Sequence, residues 1–109
     1  MDIPELGKCK EKLRETAAGG DRITYGALGV HLGISAQEVG PYLKEIYHEE
    51  TQAGRPDITL VVVYAKTGFG RFNTSGSGDT GVAVDPNNLD HVRAYKEQLA
   101  KVYEYWLGR

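Results

Sequence analysis

Two glycines, Gly29 and Gly33, constrain the fold of this chain more than any other residues. They lie within RITYGALGVHLGISAQEVGPYLKEI, residues 22–46, where apolar residues recur at helical spacing on both sides of Gly33. A helix that stops and turns sharply favours glycine where the backbone becomes left-handed. A second helix crossing close by leaves no room for a side chain one turn earlier. Gly33 meets the first demand and Gly29 the second. Leu28 and Leu32 then face a core, Ile34 follows the turn, and Val39 anchors the second helix with Tyr42 one turn on. The pattern predicts a helix-turn-helix.

Residues 1–20 form an N-terminal helix, capped by Asp2, with Pro4 in its first turn and Gly19 and Gly20 at its end. Leu6, Cys9, Leu13 and Ala17 make its apolar stripe. Lys8, Lys10, Lys12 and Arg14 alternate with Glu5, Glu11 and Glu15, which reads as a solvated face rather than a nucleic-acid patch. Within 22–53, Thr24 caps a short helix, and Ser35 with Glu38 forms a capping box for a longer one. Gly54 and Pro56 mark the exit loop. The β-branched run ITLVVVYA, 58–65, predicts a strand, the KTG that follows a turn, FGRFN a returning strand, and VAVD a further short one. Residues 74–81 are Gly- and Ser-rich and read as a loop. Residues 87–107 form a C-terminal helix with the stripe Leu89, Val92, Leu99, Val102 and Trp106, flanked by Tyr95 and Tyr103. The expected architecture is one α+β, winged-helix-like domain over 1–109, with a small antiparallel sheet over 58–85 and flanking N- and C-terminal helices.

Charge bears on function. Thirteen basic against fifteen acidic side chains give a net charge of −2, whereas nucleic-acid-binding domains are usually basic because phosphate neutralisation supplies affinity. Binding to duplex DNA is therefore expected only through local clustering, and to be weak or assisted by a partner. One cysteine allows no internal disulfide, and the opening MDIPELGKCKEKL lacks the apolar core of a signal peptide. A reducing cytoplasm is the expected compartment. The longest apolar run is too short to span a bilayer, so no membrane is implied. His31, His48 and His91 fall on three elements without metal-ligand spacing, which implies no metal. GSGDTG matches a dinucleotide-binding pattern letter for letter, but strand-like VAVD follows it where that motif requires a helix. No nucleophile stands beside a base. Neither a cofactor nor enzymatic activity is expected.

If the helix-turn-helix reads DNA, its exposed leading residues are Ser35 and Gln37, the first suited to a phosphate and the second to an adenine edge. Lys44 lies further along, outnumbered by Glu45, Glu49 and Glu50. Lys66 and Arg71 stand where a wing would touch phosphates. Phe69 and Phe72 flank Arg71 and either stack on bases or cover the core. In the C-terminal helix, Tyr103, Tyr105 and Trp106 cannot all point one way. At least one is expected at the surface, as an anchor for a protein partner or a homodimer. The competing function is thus a protein-binding adaptor or inhibitor, of the kind found in phage, mobile elements or defence systems, using the same fold without DNA.

TYGALGVHLGISAQEVGPYLKEI followed by RPDITLVVVYAKTGFGRF resembles the DNA-binding domain of alkylguanine-DNA alkyltransferases and their non-catalytic alkyltransferase-like relatives. The likeness rests on Thr24-Tyr25-Gly26, on Val39-Gly40 with Leu43, and on Val61, Val62 and Val63 with Gly68. It covers residues 23–72. The resemblance implies a winged-helix fold and a DNA-facing surface on which Tyr25 contacts phosphate. It does not imply alkyl transfer. That family's reactive Cys, or the Trp replacing it, precedes a His and an Arg ahead of the valine strand, where this chain has DITLVVV. Gln37 also stands where the family has the Arg that replaces a flipped base. More faintly, Gly54, Arg55 and Pro56, the three valines, Lys66-Thr67-Gly68 and the ending VYEYW are similar to a group of uncharacterised bacterial proteins, and this implies no activity.

Overall fold

A computed structural model describes residues 5–74 and 81–107. The chain is α+β. Helix α1 (Leu6–Ala18) leads through β1 (Ile23–Thr24) into α2 (Tyr25–Leu32) and α3 (Val39–Gln52). Strands β2 (Val62–Val63), β3 (Arg71–Phe72) and β4 (Val82–Ala83) precede α4 (Leu89–Trp106). The expected capping residues Asp2 and Pro4 and most of the glycine-rich loop lie outside the described residues.

The α2–α3 connection follows from its residues. The Thr24 hydroxyl accepts the Ala27 N–H at 3.0 Å and starts α2. Gly33 ends it with φ 73°, and the Ile34 N–H returns to the Gly29 carbonyl at 2.9 Å. A Cβ on Gly29 would lie 2.7 Å from the Ile34 carbonyl oxygen, so the close approach requires glycine there. Ser35 and Glu38 form the capping box, but the turn they close is a 3-10 turn, Ala36–Glu38, and α3 begins only at Val39.

The sheet region differs from the sequence reading. In place of a strand over 58–65, Ile58–Val61 is a 3-10 turn and only Val62–Val63 is extended. The cause is Asp57, whose carboxylate accepts the Thr59 N–H at 3.1 Å and the Thr59 hydroxyl at 2.5 Å and so winds the chain. Ile58, Leu60 and Val61 are all buried, and an apolar run buried on every side carries no strand periodicity. β2 pairs in parallel with β1, Ile23 against Val62 and Thr24 against Val63. FGRFN does not return along β2 as a ladder. The chain turns tightly instead, with the Tyr64 N–H donating to the Phe69 carbonyl at 2.9 Å and the Gly68 N–H to the Tyr64 carbonyl at 2.8 Å. It crosses β2 at Gly70, where a Cβ would come within 2.4 Å of the Val62 carbonyl oxygen. β3 then pairs antiparallel with β4.

Helices α1, α3 and α4 pack around the 3-10 turn at Ile58–Val61. Tyr95 is fully buried at the centre of α4's inner face and donates its hydroxyl to the Leu60 carbonyl at 2.7 Å. Asn88 caps α4 by accepting the Asp90 and His91 N–H groups. Leu89, expected in the apolar stripe, is 75% exposed. Among the described residues no helix is long and apolar enough to cross a membrane.

Candidate functional site

A cleft of about 1040 Å³ opens between the start of α3 and the β3 strand. Four residues singled out in the sequence line it together: Tyr25, Gln37, Lys44 and Arg71. The α2–α3 turn supplies the first wall. Gln37 is exposed on the 3-10 turn, Gly40 and Pro41 follow on the first turn of α3, and exposed Lys44 comes one turn later. A Cβ on Gly40 would meet nothing within 4 Å. No residue beyond its chain neighbours claims the space beside it, while the Pro41 ring that follows disfavours a side chain on a helical residue just before it.

The opposite wall is built from residues distant in sequence. The Tyr25 ring stacks on Tyr64 with centroids 4.7 Å apart. Burial first, then the neighbouring Tyr64, push the Tyr25 hydroxyl well above the usual tyrosine range, so it stays a neutral donor. The Arg71 guanidinium donates to the Tyr64 hydroxyl at 3.2 Å and to the Gly81 carbonyl at 2.8 Å, which fixes its position on the cleft side of β3. Asp57 accepts from the Asn73 amide at 2.7 Å as well as from Thr59. Burial raises the Asp57 carboxyl above its usual value, against the lowering effect of these hydrogen bonds. Asn73 is tied to α4 through Gln98, its N–H donating to Gln98 Oε1 at 3.0 Å and its carbonyl accepting from Gln98 Nε2 at 2.7 Å.

The acidic half of α3 is disposed away from this surface. Glu50 is buried and accepts two hydrogen bonds from Arg55, at 2.7 and 3.1 Å. Glu49 pairs with Lys10 of α1 at 2.6 Å. Of the three glutamates set against Lys44 in the sequence, only Glu45 lines the cleft.

Other nominated residues stand elsewhere. The Ser35 hydroxyl is engaged with Glu38. Lys66 is exposed on the tight turn after β2 and does not line the cleft. Phe72 is buried and Phe69 meets the Tyr95 ring edge-on, so neither offers a face for stacking. In α4, Tyr103, Tyr105 and Trp106 are each half-buried rather than exposed. The Tyr103 hydroxyl donates to the Asp21 carbonyl at 2.8 Å, and Trp106 packs against the core with the Arg14 guanidinium 5.5 Å from its ring. Cys9 is buried, and burial pushes its thiol up to about 12, which keeps it protonated and unreactive. Among the described residues no three His, Cys, Asp or Glu side chains are grouped to hold a metal ion.

Tyr64, Asp57 and Asn73 were not singled out in the sequence. Asp57 had a readable local signal, an Asp two residues before a Thr, which favours a side-chain-closed turn. The Asp57–Asn73 and Tyr25–Tyr64 contacts join residues far apart and had none. Comparisons of the chain with protein-family models, curated proteins and solved structures find no match in any of the three.

Proposed function

We propose that the cleft is a non-catalytic nucleic-acid-binding groove, taking duplex DNA weakly on a winged-helix-like frame. The observation that carries this reading is the convergence of Gln37, Lys44, Arg71 and Tyr25 on one surface, with Gly40 left bare between them. Lys44 and Arg71 supply charge for phosphate oxygens, the Tyr25 hydroxyl, hydrogen-bonded to Tyr64, adds a neutral polar group, and the Gln37 amide suits an adenine edge. The burial of Glu50 against Arg55 and the pairing of part-exposed Glu49 with Lys10 reduce the repulsion that the sequence implied. In this reading the α2–turn–α3 unit is the helix-turn-helix and the β3–β4 pair stands in for the wing.

The test is fluorescence anisotropy on labelled duplex DNA across ionic strength. With two cationic side chains in the groove, the logarithm of affinity is expected to fall with the logarithm of salt at a slope of about −2. Lys44→Ala should flatten that slope by about one unit. Gln37→Ala should weaken binding with the slope kept, and neither change should lower the thermal midpoint, since both side chains are exposed. Absence of binding at low ionic strength would overturn the proposal. A protein-binding adaptor is the second reading, favoured by the charge balance of the cleft, whose lining includes Glu45 and Asp57 as well as Lys44 and Arg71.

A further inference from the structure

The outer face of α4 is a seam that begins and ends in an exposed leucine. Leu89 is 75% exposed and Leu107 is 62% exposed. Leu107 follows Leu89 by about five turns at ~3.6 residues per turn, so the two fall on one line along the helix. The Leu107 N–H still donates to the Tyr103 carbonyl at 2.8 Å, which keeps its Cα in helical register. Arg93, Lys96 and Ala100 lie between them, all exposed, and a groove of about 470 Å³ runs past Leu89, Val92, Arg93, Lys96, Glu97 and Ala100. The only other large hydrophobic residue this exposed, among the described residues, is Val30 on α2. Two exposed leucines and Ala100 on one helix line, with Arg93 and Lys96 between them, offer apolar anchors and charges that a second helix can match.

We infer that this face pairs with the same face of a second copy of the chain, antiparallel about a two-fold axis. Charge complementarity identifies the occupant. When Leu89 meets the partner's Leu107, the register sets Lys96 against the partner's Ala100, and Arg93 falls beside the partner's Glu104. The two-fold axis repeats each of these contacts. A parallel pairing would instead set Arg93 against an arginine and Glu104 against a glutamate, which repel. Opposed helix dipoles also favour the antiparallel arrangement. An 18-residue helix is only ~27 Å long, so the interface lies below the standard size for a stable complex. The dimer is therefore weak and forms as concentration rises. The aromatic residues of α4 take no part, being half-buried against the fold.

Sedimentation velocity of the full chain without nucleic acid, over a concentration series, tests this independently of the cleft. The expected result is a sedimentation coefficient that climbs from one copy toward two. Leu89→Glu should raise the dissociation constant by at least about tenfold, with helical circular dichroism and melting unchanged because the side chain is mostly exposed. Arg93→Glu and Glu104→Arg should each weaken self-association by about tenfold at most, as expected for exposed pairs counted twice. Mixing those two variants should restore association, because each arginine then faces a glutamate across the interface. A wild-type chain that stays monomeric throughout overturns the proposal. So does a dimer indifferent to Leu89→Glu, or one that the mixed charge variants fail to restore.

Discussion

The two walls of the cleft are made in different ways. The α2–turn–α3 wall is held by contacts between near neighbours: Thr24 with Ala27, Gly29 with Ile34, Ser35 with Glu38. The opposite wall, from residues 57–74 and 81–84, is held by contacts between residues remote in sequence: β1 with β2, Asp57 with Asn73, Asn73 with Gln98, and Tyr95 with Leu60. A locally built wall can keep its shape when other parts of the molecule loosen. A wall built from distant segments exists only in the complete fold.

The largest effect that would sharpen this contrast comes from the two glycines at close backbone contacts, one per wall. Gly29→Ala and Gly70→Ala each push a Cβ against a carbonyl oxygen, at 2.7 and 2.4 Å respectively. Each is expected to cost about 3 kcal/mol, the upper range for overpacking, in urea unfolding. The Gly70 variant should lose protection in amide exchange throughout β2, β3 and the Ile58–Val61 turn. The Gly29 variant should lose it first across α2 and the start of α3. Identical exchange patterns in the two variants would break the comparison.

A smaller effect is expected at Gly40. Gly40→Ala sets a gain in helix propensity against crowding of the new Cβ by the Pro41 ring in helical backbone, so its net effect on stability should stay within about 1 kcal/mol. Gly40→Leu should weaken whatever occupies the cleft well beyond the effect of Gly40→Ala, read as a loss of DNA anisotropy signal in the folded variant.

The smallest effect belongs to Asp57. Its folded carboxyl titrates above the ordinary 3.8 because burial disfavours the charge. Such a group favours the folded state when protonated, and that contribution is lost as pH rises from 3.8 through the folded value. Relative to Asp57→Asn, the wild-type chain should therefore lose stability as pH climbs out of the acid range. A difference in denaturant midpoint that does not change with pH would contradict the burial of this carboxyl.

The same division explains what could be read in the sequence. Thr24, Gly29, Gly33, Ser35 and Glu38 act through bonds spanning a few residues, so residue type and spacing sufficed to place them. The run ITLVVVYA departs from the strand its β-branched residues predict because full burial on every side removes the alternation that marks a strand, and because one Asp side chain outweighs the β-propensity of the residues after it. Leu89 was assigned to the core because apolar character alone does not set the phase of a helix. That phase is set by Tyr95, Leu99 and Val102, and Leu89 precedes Tyr95 by a number of residues that is not a whole number of turns. The four nominated cleft residues do come together, although Arg71 arrives on β3 rather than on a hairpin built with β2. Tyr64 and Asn73 joined them unforeseen, since their partners become neighbours only in the folded chain.

The parallel pairing of Ile23 with Val62 has a consequence for how the molecule forms. A parallel ladder cannot grow from a hairpin, so the intervening chain must close as a loop before the first cross-strand bond is made. Helices α2 and α3 both lie inside that loop. The turn at Gly33 can form early, from its own residues, while the cleft beside it waits for the slow closure of the whole chain. A fragment ending before Ile58 would keep the helical turn and have no groove. Under the proposed function, binding at the cleft would report completed folding, because the local half of the site cannot assemble the other half by itself.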